Sequence, residues 1–161
     1  MGLDMYLSKR TYVKNWDYST PEERHTITVT GPAGKTIKPE RIVYIEEQVG
    51  YWRKANAIHQ WFVEHCQDGV DDCRYAYVSR LELRELRDLC RSLVSAYEID
   101  PESASTRAAA ELPPRRGFFF GSTELDDWYW QDLRKTADLL TAALDEIVGD
   151  GWGEFQYHSS W

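Results

Sequence analysis

The chain has 161 residues, of which 42% are hydrophobic and 29% are charged, and its formal net charge is −8 at pH 7. This size and composition are typical of one soluble globular domain, and no apolar run reaches the roughly 18 residues of a membrane-spanning helix. The acidic balance argues against direct binding to nucleic acid phosphates. The aromatic content is high, with seven Trp and ten Tyr, and such rings are favoured at interfaces as well as in cores.

Three segments near the start of the chain show the composition and alternation of β-strands. They are residues 3–13, 25–31 and 41–53, and we expect a bulge or bend at Gly50 in the third. Residues 31–36, GPAGKT, resemble the end of a phosphate-binding loop, but Val29 occupies the position of the motif's first glycine. The Pro and Gly residues there predict a hairpin connection.

Three helices are predicted after these strands. The first covers residues 55–66, and the second follows Ser79, which has Glu82 at the spacing of a capping box. The third begins near Ser122 or Thr123, either of which would cap it, and runs to Gly149 along one apolar stripe. The hydroxyl pair at the start of this helix also suggests a place where free backbone N–H groups bind an anion.

Residues 98–117 are polar and contain three prolines, so the sequence predicts a long flexible loop. Residues 154–161 have the composition of a last strand. There is no internal repeat and no alternation of strands with helices. These features predict one α+β domain over residues 1–161, with a small, mainly antiparallel sheet and about three helices.

The three cysteines Cys66, Cys73 and Cys90 are odd in number, and their pattern does not resemble a disulfide framework. Their spacing relative to His59 and His65 also differs from that of zinc sites. We therefore expect packing roles, no metal and no cofactor. The first residues lack a signal-peptide pattern, so the expected compartment is a reducing cytoplasm.

A candidate ligand site lies in the stretch YWRKANAIHQWF, residues 51–62. Cations bind phosphate, amide and imidazole groups bind polar edges, and Trp rings stack on bases. A nucleotide-like ligand has a phosphate, polar edges and a base, so it matches all three kinds of side chain in this stretch. A histidine on an apolar helix face is more often a hydrogen-bonded core residue, and that interpretation stays open. With the turn before the third helix included, the candidates are Trp52, Arg53, Lys54, Asn56, His59, Trp61, Ser122 and Thr123.

The acidic charge is concentrated at one end of the chain. Residues 117–161 carry a net charge of −7, whereas residues 1–116 carry −1. Such a surface attracts basic partners, although solubility alone also explains acidic helices. The candidate protein-binding residues are Asp126, Asp127, Trp128, Trp130 and Asp132.

Three blocks together resemble a family of small proteins carried by bacteriophages and prophages. They are MGLDMYL at the start, RKANAIHQWFV at residues 53–63 and GFFFGSTELDDWYWQDL at residues 117–133. The resemblance covers the whole chain but implies no activity and no catalytic residues. It implies a protein made inside an infected bacterium.

By analogy with the setting that this resemblance implies, we expect a non-enzymatic phage accessory protein that interferes with a host component, such as a defence system. It would dock its acidic surface on a host protein or sequester a nucleotide-like signal, with no direct nucleic acid or membrane partner. One alternative is a small hydrolase acting on a nucleotide, with His59 as acid or base. Another is a structural or housekeeping phage protein.

Overall fold

The computed structural model describes residues 2–32, 37–145 and 153–161. Four strands form one antiparallel sheet: β1 (Asp4–Tyr12), β2 (Tyr44–Arg53), β3 (Ala76–Val78) and β4 (Gly153–Ser160). Their spatial order is β2-β1-β4-β3, so the strand nearest the C-terminus lies between the first and third strands. The fold is therefore α+β, as the sequence predicts.

The register of the central strands directs large apolar side chains to one face. Met5 lies opposite Trp52, and Leu7 lies opposite both Gly50 and Tyr157. The side chains of Met5, Leu7, Trp52 and Tyr157 are all buried. Between Leu7 and Ser8 the pairing with β2 skips one residue, which places the predicted irregularity immediately before Gly50.

Four helices complete the domain: α1 (Asn56–Cys66), α2 (Arg80–Ile99), α3 (Pro101–Glu111) and α4 (Asp127–Asp145). The core between helices and sheet is formed by one buried stripe from each long helix, with Leu83, Leu86, Cys90 and Leu93 from α2 and Leu133, Ala137 and Leu140 from α4. None of the helices in the described part of the chain has the length and apolar character needed to cross a membrane.

The start of α2 confirms the predicted capping box. The Ser79 side chain accepts a hydrogen bond from the Glu82 N–H, and the Glu82 carboxylate accepts one from the Ser79 N–H. This reciprocal pair satisfies two backbone donors that the helix itself leaves free.

The prediction of a long flexible loop over residues 98–117 is wrong, because α3 occupies most of it. The Asp100 side chain accepts hydrogen bonds from the N–H groups of Glu102 and Ser103, and Pro101 is the first helical residue, where proline is well tolerated. Ala104 and Ala108, one turn apart, are buried against the core. The polar composition that indicated a loop is the solvent-facing side of a short amphipathic helix.

The strand predicted over residues 25–31 is also wrong: these residues form no strand, and their side chains are mostly exposed. Alternation of Thr with Ile and Val indicates a strand only if one face finds a core. Most of the GPAGKT stretch and the predicted helix end at Gly149 lie outside the described residues.

Candidate functional site

A cleft of about 330 Å³ lies between the β2–α1 turn and the first turns of α4. It brings together the two sequence blocks that carry most candidate residues. Its lining consists of Arg53, Lys54, Ala55, Asn56, Ala57, Ile58, Gly121, Ser122, Glu124, Asp126, Trp128, Tyr129, Asp132 and Leu133. Four ligand-binding candidates and three protein-binding candidates therefore share one cleft.

The β2–α1 turn presents two cations to this cleft. Lys54 has φ of 60°, a left-handed conformation that costs a non-glycine residue roughly 1–2 kcal/mol. Its N–H donates to the Leu3 carbonyl at 2.8 Å. Gly121, itself at φ of +89°, lies so close that a Cβ there would be 3.4 Å from the Lys54 Cβ. The side chains of Arg53 and Lys54 are exposed, and neither forms an ion pair in the described part of the chain.

No side chain caps the N-terminus of α1. Its first backbone N–H groups, at Ala57 and Ile58, belong to residues that line the cleft beside the two cations. The helix dipole places partial positive charge at this end. The wall formed by the β2–α1 turn is therefore electropositive.

Asn56 ties the start of α1 to the segment that precedes α4. Its side-chain amide donates to the Phe120 carbonyl at 3.0 Å and to the Ser122 carbonyl at 2.7 Å. The residue, a predicted ligand-binding candidate, is buried and is not a free surface group. Both amide hydrogens are occupied, so Asn56 shapes the cleft and leaves only its Oδ1 for a ligand.

The cap of α4 is Asp126, so the predicted cap at Ser122 or Thr123 is wrong. The Asp126 carboxylate accepts hydrogen bonds from the N–H groups of Trp128 and Tyr129, at 3.0 and 3.1 Å. The Ser122 hydroxyl instead accepts from the Glu124 N–H in the preceding turn. The aspartate satisfies the first donors of α4, which leaves no anion site at that helix end. Thr123 is half-buried and does not line the cleft.

The α4 wall of the cleft is acidic and carries an exposed ring. Trp128 is 73% exposed, and Asp132 follows it one turn later on the same helix. Burial raises the pKa of the Asp132 carboxyl to about 6; Lys135 opposes the shift and Asp126 adds to it. The Asp132 carboxylate has no hydrogen-bond or ion-pair partner among the described residues.

Two other protein-binding candidates lie outside the cleft. Asp127 is exposed at the first turn of α4. Trp130 is only 1% exposed and stacks on Tyr97 at 4.1 Å between ring centroids. Trp130 is therefore a core residue and offers no surface to a partner.

The two tryptophans near α1 are also buried, contrary to the expectation of exposed stacking rings. The Trp52 Nε1–H donates to the Thr136 hydroxyl at 2.9 Å inside the core. Trp61 stacks on His65 at 4.2 Å and is 5% exposed. Both rings belong to the hydrophobic core.

His59 is fully buried and belongs to a separate polar network. Its Nδ1 lies 2.7 Å from the Tyr157 hydroxyl, and its Nε2 lies 3.0 Å from Asp71 Oδ2. Burial lowers the pKa of His59, and although Asp71 opposes the shift, the net direction is downward. The imidazole is therefore neutral, with Nε2–H donating to Asp71 and the Tyr157 hydroxyl donating to Nδ1.

The carboxylate of Asp71 connects this network to two further residues. It accepts from Trp161 Nε1–H at 3.0 Å, and Arg115 approaches it at 3.5 Å. Arg115 also donates to Gln60 Oε1 at 2.7 Å. The network joins α1, the segment before β3, the segment after α3 and the end of the chain, which gives His59 a structural role.

Sequence reasoning missed Asp71, Arg115 and Tyr157, because each meets His59 only through the fold. It also missed that Trp128 and Asp132 share one face of α4, although their spacing of four residues was a usable signal.

The described residues contain no group of three or more His, Cys, Asp or Glu side chains placed to hold a metal ion. Cys90 packs in the core, and its burial raises the pKa of the thiol to about 12.

The chain matches no protein-family model, no curated protein and no solved structure at a significant level. Its function has to be argued from the geometry of its own residues.

Proposed function

We propose that the protein is a non-enzymatic binding protein that sequesters a nucleotide-like small molecule in the cleft. The observation that carries this proposal is the meeting of unpaired cations and an exposed tryptophan in one cleft. Arg53 and Lys54 form one wall, and Trp128 and Asp132 form the other. Its volume of about 330 Å³ is at the low end of the range for small-molecule sites, which favours a ligand the size of one nucleotide.

The chemistry of each wall suits one part of such a ligand. Guanidinium and ammonium groups form charge-assisted hydrogen bonds with phosphate, and the N-terminus of α1 adds its dipole on the same side. An exposed tryptophan ring provides a stacking surface for a base, an interaction of about 1–3 kcal/mol in single-stranded nucleic acid complexes. The acidic wall accepts hydrogen bonds from the polar edge of that base.

The biological setting of the proposal rests on the resemblance of the three sequence blocks to phage and prophage proteins. We place the protein in the cytoplasm of an infected bacterium. There it would lower the free concentration of a nucleotide-like signal and so interfere with a host defence component.

Three alternatives receive less support. Docking through an acidic surface requires a cluster of accessible carboxylates, yet of the three candidates Asp126 caps α4 and Asp132 faces the cleft, which leaves Asp127 exposed on its own. The hydrolase alternative relied on His59, which is buried outside the cleft. A housekeeping role gives no reason for leaving Arg53 and Lys54 unpaired beside an exposed ring.

The test is to purify the full chain from bacteria and to identify small molecules released on denaturation by mass spectrometry. A panel of nucleotides is then titrated by calorimetry. We expect an intact nucleotide-like ligand and saturable binding, both lost in an Arg53→Ala/Lys54→Ala variant. The matched control is Lys38→Ala/Arg41→Ala, which removes two exposed cations outside the cleft and should leave binding unchanged.

Two results would contradict the proposal. If no nucleotide co-purifies and none of the panel binds, the cleft is not a nucleotide site. If the released molecule is the product of a cleavage that the protein itself performs on added nucleotide, the protein is an enzyme.

A further inference from the structure

The Asp132 carboxylate is an acceptor without a donor. It is half-buried on the α4 wall of the cleft, and no described residue donates a hydrogen bond to it or pairs with it. The carboxylate is not among the buried polar atoms that lack a partner, so its oxygens are open to solvent in the cleft. Since no protein group occupies these acceptors, they are available to N–H donors of a ligand that displaces the water.

The spacing of Trp128 and Asp132 restricts where those donors lie. The two residues are four apart on one helix, so their side chains lie on the same face, with Cβ atoms about 6 Å apart. A planar base stacked on the Trp128 ring would therefore have one edge beside the Asp132 carboxylate. The anionic end of the same ligand would lie across the cleft, near Arg53 and Lys54.

A carboxylate has two acceptor oxygens, and bidentate pairing requires two adjacent N–H donors. Guanine presents such a pair on one edge, at N1–H and the N2 amino group. Adenine and cytosine each place an amino group beside an unprotonated ring nitrogen, which a carboxylate repels. Uracil offers a single N–H between two carbonyl groups.

We propose that the cleft selects a guanine nucleotide, with N1–H and N2–H donating to Asp132, the base stacked on Trp128 and the phosphate near Arg53 and Lys54. This inference rests on the proposed function and specifies its ligand class. It assigns Asp132 as the specificity-determining residue of the cleft.

The charges around Asp132 give the selectivity a pH dependence. Asp126 and Glu124 lie on the same side of the cleft, Lys135 follows on the same helix, and Arg53 and Lys54 face it across the cleft. With its pKa raised to about 6 by burial, the carboxyl is ionised at pH 7.5 and accepts both hydrogen bonds. At pH 5 it is mainly protonated and carries a donor in place of one acceptor.

The experiment measures equilibrium binding of GMP, IMP and AMP to the full chain at pH 7.5 and at pH 5. We expect GMP to bind about ten- to a hundredfold more tightly than AMP at pH 7.5, the usual discrimination of a bidentate pair. IMP should be intermediate, because it keeps N1–H and lacks the N2 amino group. The preference should shrink at pH 5.

Asp132→Asn should bring GMP and AMP to similar affinity. The matched control Asp127→Asn removes an exposed carboxylate that does not line the cleft and should keep the GMP preference. Suppose that the natural sequence binds GMP and AMP equally well and that Arg53→Ala/Lys54→Ala abolishes the binding of both. This result would overturn the guanine inference but leave the proposed function standing. An unchanged preference in Asp132→Asn would overturn the role of Asp132. Absence of binding by all three nucleotides would count against the proposed function itself.

Discussion

Two polar regions border helix α1, and they differ in whether their polar groups are paired. Around His59, which is fully buried, the ring nitrogens contact Tyr157 and Asp71, so both are paired within the protein. In the cleft, Arg53 and Asp132 have no ion-pair partners in the described part of the chain and face open space. The same residue types therefore hold the fold together in one region and remain available to a ligand in the other. The difference lies in the neighbours that the fold supplies.

The strongest way to test this comparison is to remove His59. His59→Ala would leave the Asp71 carboxylate and the Tyr157 hydroxyl without their buried partner and would open a cavity. We expect the free energy of unfolding to fall by about 3–5 kcal/mol, measured by urea denaturation. The control His25→Ala, at an exposed side chain, should stay within about 0.5 kcal/mol. A loss below about 1 kcal/mol for His59→Ala would mean that the network contributes little.

The same network should make the protein sensitive to acid. The pKa of His59 is lowered from 6.5 in the folded state, so the unfolded chain takes up a proton first as the pH falls. The contribution of His59 to stability is therefore present above pH 6.5 and declines as the pH drops below that value. Denaturation measured between pH 8 and pH 5 should show this decline, and it should be smaller in His59→Gln. If the free energy of unfolding falls equally with pH in the natural sequence and in His59→Gln, His59 is not a neutral buried histidine.

Asn56→Ala tests the boundary between the two regions, because this residue lines the cleft yet both of its amide hydrogens are bonded within the protein. The carbonyl groups of Phe120 and Ser122 would lose their donor, and we expect a loss of about 1–3 kcal/mol. Asn56→Asp keeps the shape of the side chain but removes both donors, so it should be at least as destabilising. If both variants unfold like the natural sequence in urea, Asn56 belongs with the free groups of the cleft.

Asp132→Asn should make the protein more stable, the opposite of a change in the His59 network. Because the folded pKa of about 6 lies above the ordinary value of 3.8, the folded protein binds a proton more readily than the unfolded chain. Ionisation of Asp132 therefore lowers the free energy of unfolding as the pH rises from 3.8 to about 6, and the full loss is present above about pH 6. Partial exposure screens the charge, so we expect a gain of roughly 1 kcal/mol at pH 7, which disappears near pH 4. The control Asp127→Asn should show no gain in stability. If Asp132→Asn instead lowers the stability, the Asp132 carboxylate has a partner in the folded protein.

The smallest effect concerns the turn that presents the cations. Lys54→Ala and Lys54→Gly both remove the ammonium group, so both should weaken nucleotide binding. Since φ at this position is 60°, glycine should be more stable than alanine there by about 1 kcal/mol, measured as the difference in urea midpoint at equal slope. Equal stability of the two variants would show that the turn is not held in the left-handed conformation.

Much of the fold could be predicted because its signals are local. The capping box at Ser79 and the apolar spacing along α1 and α2 depend on residues within one or two helical turns. Helix α3 was missed because its signals, an aspartate cap before a proline and two buried alanines one turn apart, are weak beside a polar composition. The strand expected over residues 25–31 failed because alternation does not show whether a core is available.

The candidate site could be predicted only in part, for the same physical reason. The cations at Arg53 and Lys54 and the carboxylate at Asp132 were identifiable as charged residues in unusual surroundings. The burial of Trp52, Trp61 and Trp130 was not, because a tryptophan in a helix or strand has the same sequence context whether it packs or stacks on a ligand. The partners of His59 lie 12 to 98 residues away along the chain, beyond the range of local patterns.

The hydrogen bonds from Asn56 to the Phe120 and Ser122 carbonyls have a kinetic consequence. They hold the start of α1 against the segment that leads into α4, and we expect this tether to preform the cleft, so that the site does not need to be assembled during binding. Association should then follow a single exponential whose rate rises linearly with ligand concentration, without the plateau of a slow conformational step. Under the proposed function, the rate of capture would therefore be set by diffusional encounter and not by a rearrangement of the protein.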